Sequence, residues 1–294
     1  MAANSFHIVD VFAEQKYAGN QLAVFTTVQG LSSDDMQKIA KEMGFSETTF
    51  LLSHTPRDGG YDVRIFTPAV EVPFAGHPTL GTAYVIRREI LRAPAAQVRL
   101  NLEVGQIPVS FGRAGEPDVL WMRQHPPRFG PTCAPGEAAD ILGLSLAQID
   151  ARFPVQEVST GLWFVIVPLV NLDALQRAKI ARDKYFAFIE DHQAKAILVV
   201  CPEPYHPGND LSVRVFVPYA GIEEDPATGS GNGCLAAWLV QHRYFGRSDI
   251  DVRVQQGHEI GRPSRIYLRA KQESGTIAVN VGGRVIPVAR GEFV

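Results

Sequence analysis

Glu47 is the lone acid of FSETTFLL (45–52), a β-rich run whose other members are Ser, Thr, Phe and Leu. His77 stands before proline in AGHPTLG (75–81), and Asp225 does the same in EEDPATGS (223–230), a stretch that ends on Ser230. A carboxyl stranded among such neighbours suits general acid–base work if burial lifts its pKa toward neutrality. A neutral imidazole at a helix start could donate to a substrate oxygen, and Asp225 could accept from a substrate amine or hydroxyl. The same residues admit a plainer reading. Glu47 could open a surface strand, His77 and Asp225 could be turn residues, and Asp225 and Ser230 could cap a helix.

The elements around these residues are written twice. RIFTP (64–68) leads through AGHPTLG into the apolar run TAYVIRREI (82–90), and RVFVP (214–218) leads through DPATGSGNG (225–233) into CLAAWLVQH (234–242). TFLL (49–52) is matched in order by ILVV (197–200). A duplicated α+β unit follows, each copy placing a buried helix behind a glycine-rich turn. Such a helix start presents unsatisfied N–H groups and a positive dipole end, which favour a small anion, most simply a carboxylate. Two of them aimed at one cleft between lobes would make a carboxylate pocket. Familiar nucleotide loops do not fit: GSGNG (229–233) lacks the Lys-Ser/Thr of a P-loop, and Cys234 stands where a third dinucleotide-binding glycine would fall.

At 294 residues the chain suits two domains. A formal charge of −3 and a pI near 6.2 provide no basic field for nucleic acid. No run reaches the ~18 apolar residues of a membrane span, and the N-terminus has no secretory pattern. Cys133, Cys201 and Cys234 are odd in number and unpaired in spacing, which suits free thiols in a reducing cytoplasm. Histidines are scattered without HExxH or Cys/His ligand spacing, so no metal site is expected. The spacing predicts a helix over 32–44, capped by Ser32 or Ser33 and stopped by Gly44, strands over 45–52 and 60–68, and a buried helix over 78–90. Residues 125–140, with four prolines, read as a linker, followed by a short helix over 141–149.

FSETTFLL, RIFTPAVEVPFAGHPTLGTA, EEDPATGSG and QGHEIGRPS (256–264), in this order, resemble the phenazine-biosynthesis PhzF-like family, and the likeness runs from IVDVF–GN (8–20) to the terminal GEFV. The resemblance implies an α+β, diaminopimelate epimerase-like fold. Two pseudo-symmetric lobes, 1–120 and 121–294, would each curl a mixed sheet into a barrel around a central helix, with the last strand free to pair with the first lobe. It implies a cofactor-independent, metal-free isomerase similar to trans-2,3-dihydro-3-hydroxyanthranilate isomerase. Glu47 would be the single acid/base, and Gly76, His77, Asp225 and Ser230 would bind the substrate. Relatives of that fold that racemise with two thiols carry cysteines where this chain has Ala75 and, approximately, Thr228, so that route is not expected. A homodimer is implied by the resemblance alone. A metabolite-binding protein without turnover and a one-base amino-acid epimerase are the competing functions.

Overall fold

The computed structural model describes residues 4–112, 118–273 and 275–294. The chain divides into two compact units, Met1–Met122 with Gly282–Val294, and Arg123–Val281. In the N-terminal unit the order is β1 (Asn4–Val11), β2 (Asn20–Phe25), α1 (Ser33–Met43), β3 (Glu47–Leu51), β4 (Tyr61–Phe66), β5 (Glu71–Val72), α2 (Gly76–Val85), β6 (Gln97–Leu102), β7 (Gly105–Phe111) and β8 (Leu120–Arg123). β1 pairs antiparallel with β2 and with the chain's last strand, Val285–Phe293. β2 and β3 are parallel, β3, β4 and β5 antiparallel in turn, and β4 runs parallel to β6.

α2 packs against β1, β2, β3, β6, β7 and the last strand, which explains why its sequence is apolar all round. A β-carbon on its Gly81 would lie 2.5 Å from Leu22 Cδ2 and 2.9 Å from Val11 Cγ2, so only glycine lets the sheet close this tightly. The helix does not stop at Val85 but widens into a π-helical stretch, Ile86–Leu91, ended by Arg92 in the left-handed region. On the other face of the sheet lies α1. Ser32 caps it in a reciprocal box with Asp35, and Gly44 ends it at φ 66°. Met36 and Ala40 of α1 pack on a row of phenylalanines, Phe25, Phe50 and Phe66, with neighbouring ring centroids 5.1 and 5.4 Å apart.

The C-terminal unit contains β9 (Arg128–Thr132), α3 (Pro135–Ile141), β10 (Gln156–Ser159), β11 (Trp163–Pro168), α4 (Leu172–Arg177), α5 (Arg182–Asp191), β12 (Ala196–Cys201), β13 (Leu211–Val217), β14 (Ile222–Asp225), α6 (Gly229–Gln241), β15 (Asp249–Gln256), β16 (Ser264–Glu273) and β17 (Thr276–Gly283); the last strand is β18 (Val285–Phe293). The linker reading of 125–140 fails here. β9, which contains Pro131, pairs with β10, and Pro135 opens α3 where no N–H is needed. The helix expected over 141–149 does not form: α3 ends at Ile141, and only a 3-10 turn, Leu146–Gln148, follows. No helix among the described residues is long and apolar enough to cross a membrane.

The repeat seen in the sequence is a repeat of pairings. β11 and β12 are parallel, β12, β13 and β14 antiparallel, and β13 runs parallel to β15, as β2 to β6 do in the first unit. α6 follows β14 as α2 follows β5, and it packs on β10, β11, β15 and β16 with Trp238 fully buried. Even the ion pairs correspond. Arg64 of β4 meets Glu71 of β5 at 2.6 Å, and Arg214 of β13 meets Glu224 of β14 at 2.7 Å.

Candidate active site

Strand parity sets Glu47. It is the first residue of β3, opposite Leu22 of β2, and shares a face with Thr49, while Phe50 turns toward α1. The face shared by Glu47 and Thr49 looks at α2: the hydroxyls of Thr49 and Thr82 hydrogen-bond at 2.8 Å, buried between strand and helix. That bond ties β3 to α2 and holds Glu47 at the first turn of the helix. Its carboxyl Oε2 lies 3.6 Å from His77 Nε2, and the side chain is 19% exposed. Gly76 is the first residue of α2 and Ala75 its N-cap, with no side chain capping the start.

His77 is 5% exposed, and burial pushes its imidazole down to about 3, so the ring is neutral. Desolvation is the larger cause, and the hydrogen bond to Gln21 O opposes it. Nε2 carries the proton, because the atoms it faces are oxygens: Gln21 O, which accepts at 3.3 Å, and the Glu47 carboxyl. The Glu47–His77 contact is therefore a dipolar one between a carboxyl and a neutral N–H donor.

In the C-terminal unit Asp225 ends β14, Thr228 is the N-cap of α6 and Ser230 lies in its first turn. Neither Asp225 nor Ser230 caps the helix. Asp225 instead accepts a short hydrogen bond from the Thr228 hydroxyl, and Ser230 is half-buried with no side-chain hydrogen bond among the described residues. The turn is held by Gln256, which sequence reasoning did not single out. Its amide donates to Asp225 O at 2.8 Å and Thr228 Oγ1 at 3.0 Å, while its carbonyl accepts from Thr228 N at 3.2 Å and Asn232 Nδ2 at 2.9 Å. Ser264 Oγ donates to Pro226 O at 2.9 Å. At Gly257, φ is 78° and a β-carbon would fall 2.6 Å from Pro226 O and 2.4 Å from Arg262 O. The QGHEIGRPS motif is thus the cradle of the DPATGS turn, and its order in the sequence was the one available sign of it.

The two units are unequal where chemistry is concerned. The parallel pairs Leu22–Glu47 and Phe164–Ala196 correspond, so Ala196 stands where Glu47 stands in the first unit. Likewise Val72, opposite Ile65, corresponds to Asp225, opposite Val215. Lys195, next to Ala196, is tied to the carbonyls of Ile189 and His192. Both helix N-caps, Ala75 and Thr228, lack thiols, and burial pushes the thiols of Cys133, Cys201 and Cys234 up to about 11, 11 and 12.

Comparison with known proteins agrees with this architecture. Residues 9–291 match the family described as phenazine biosynthesis-like protein. Trans-2,3-dihydro-3-hydroxyanthranilate isomerase of Pseudomonas aeruginosa is 35% identical over 298 residues, covering 97% of each chain. The crystal structure of a PhzF-family phenazine biosynthesis protein from Bacillus anthracis superimposes with a TM-score of 0.92 at 28% identity, covering 100% of both chains. A probable proline racemase from Agrobacterium radiobacter shares the fold at a TM-score of 0.62 and 9% identity, with 99% of this chain and 93% of that one covered.

Proposed function

The chain is an isomerase of the phenazine biosynthesis-like protein family, and from that premise we propose that it moves a proton between two carbons of a small carboxylate with Glu47 as the single acid/base and no cofactor. The observation that carries the proposal is the position of Glu47: a mostly buried carboxyl, 3.6 Å from a neutral imidazole, at an uncapped helix start. Its symmetry-related place in the second unit is alanine. A carboxylate here would take a proton from one carbon, and the protonated form would return it to another within reach. The charge spread over the substrate in between is stabilised by fixed N–H donors, which need no reorganisation as the charge forms. On the same reading Gly76 and His77 bind and polarise that substrate. The Pseudomonas aeruginosa relative's named substrate makes a cyclic hydroxy-amino carboxylate the first class to try.

The test begins with a thermal-shift screen of small carboxylates, hydroxyanthranilate analogues included, followed by product analysis in heavy water. Wild type should yield an isomer. Glu47→Gln should bind the same ligand and lose about 10²–10⁴-fold in rate. Undiminished turnover by Glu47→Gln would refute the assignment. Product that differs only in handedness would make the reaction an epimerisation, and ligand stabilisation of wild type with no product would make the chain a binder.

A further inference from the structure

Cys133, Glu157 and His192 come from three separate elements of the C-terminal unit, and one ligand atom of each lies within 4.8 Å of the other two. Cys133 follows β9, with its N–H donating to Val155 O at 2.9 Å; Glu157 is the second residue of β10; His192 ends α5. Glu157 is 1% exposed, and neither of its oxygens has a hydrogen-bond partner among the described residues. A carboxylate removed from water with no donor is strongly unfavourable unless a charge of opposite sign accompanies it. His192 is already oriented. Nδ1–H donates to Phe188 O at 2.8 Å and the ring stacks on Phe188 at 3.8 Å, which leaves Nε2 as the atom with the free lone pair. Ligating histidines are held this way, with the second nitrogen bonded to a carbonyl.

A nucleophilic role does not suit the trio. A reactive thiol needs a lowered pKa, whereas burial, then Glu157 and Glu137, push the Cys133 thiol up to about 11. We propose that Cys133, Glu157 and His192 bind a divalent transition-metal cation of the zinc type. One sulfur, one imidazole nitrogen and one carboxylate oxygen are all zinc donors, and three protein ligands leave a fourth position for water. Zinc–ligand bonds of ~2.0–2.3 Å bring the donor atoms to roughly 3.5 Å from one another. The donor atoms, now within 4.8 Å of one another, would draw together by ~1 Å on binding the cation. The cation would clamp the end of α5 to the β9–β10 ribbon and neutralise Glu157. The proposal does not depend on the acid/base reading of Glu47.

The test uses the full chain after chelation, titrated with Co²⁺ and then Zn²⁺. One equivalent of Co²⁺ should produce a thiolate-to-cobalt charge-transfer band in the near ultraviolet, displaced by one equivalent of Zn²⁺, and Zn²⁺ should raise the Tm. Cys133→Ser should abolish the band. His192→Asn and Glu157→Gln should weaken Zn²⁺ binding at least ~10-fold. No band in wild type, or a band that persists in Cys133→Ser, overturns the proposal. Should Cys133→Ser fail to fold, His192→Asn decides, since its side chain lies at the surface edge, and unchanged affinity there overturns it equally.

Discussion

Replacing His77 by glutamine tests whether burial or the neighbouring Glu47 charge controls the imidazole. Burial holds the folded-state pKa at about 3, against 6.5 in the unfolded chain. Below pH 6.5 the unfolded state therefore takes up a proton that the folded state refuses. The stability that rests on a neutral His77 is complete above pH 6.5 and is lost as pH falls toward 3. Each pH unit in that window is worth about 1.4 kcal/mol, and between pH 8 and pH 5 the loss sums to about 2 kcal/mol. Glutamine keeps an N–H donor for Gln21 O but does not titrate. Urea unfolding of wild type and His77→Gln at pH 8 and pH 5 should then show the variant's stability deficit shrinking by about 2 kcal/mol on acidification. His7, His242 and His258, whose imidazoles burial also lowers, contribute equally to both proteins and cancel in the difference. A Glu47 carboxylate that overcame burial would raise the folded pKa above 6.5. Stability would then be greatest in acid and lost as pH rises, so the variant's deficit would grow between pH 8 and pH 5. A growing or constant deficit refutes the assignment of a neutral buried ring.

Three further outcomes are expected of stability measurements. Gly257→Ala, which forces a β-carbon against two carbonyl oxygens at a φ of 78°, should destabilise by on the order of 2 kcal/mol and lower the Tm accordingly. Glu224→Gln should lose on the order of 2 kcal/mol in urea unfolding, because Arg214 is 9% exposed and would keep only the Glu259 carboxylate, 3.8 Å away, as a counter-charge. Its counterpart in the repeat, Glu71→Gln, should lose about 1 kcal/mol or less, since Arg64 is 27% and Glu71 37% exposed. Equal losses at the two positions would show that burial does not set the difference.

Much of the fold was legible in one dimension because it is written in local periods and stops. The stripe of Met36, Ile39, Ala40 and Met43 with Ser32 and Gly44 defines α1 without help from the rest of the chain. RIFTP and RVFVP mark β4 and β13, and the matched glycine turns mark the starts of α2 and α6. Composition misled at 125–140, where prolines suggested a linker. Proline tolerates an edge strand and a first helical turn equally well, and only the pairing of β9 with β10 chooses between them.

By itself the sequence determined the duplicated α+β unit, the two glycine-led helix starts and the single acid of SETTF, since these depend on residue type and short-range spacing. Tertiary structure decided the rest. The register of β3 against β2 and the Thr49–Thr82 bond bring Glu47 to 3.6 Å from His77. Closure of the sheet around α2 buries that ring and keeps it neutral. The cradle of Gln256 beneath the Asp225 turn and the convergence of Cys133, Glu157 and His192 are likewise distances across the fold. Strand register and helix packing set such distances, and no local pattern carries them.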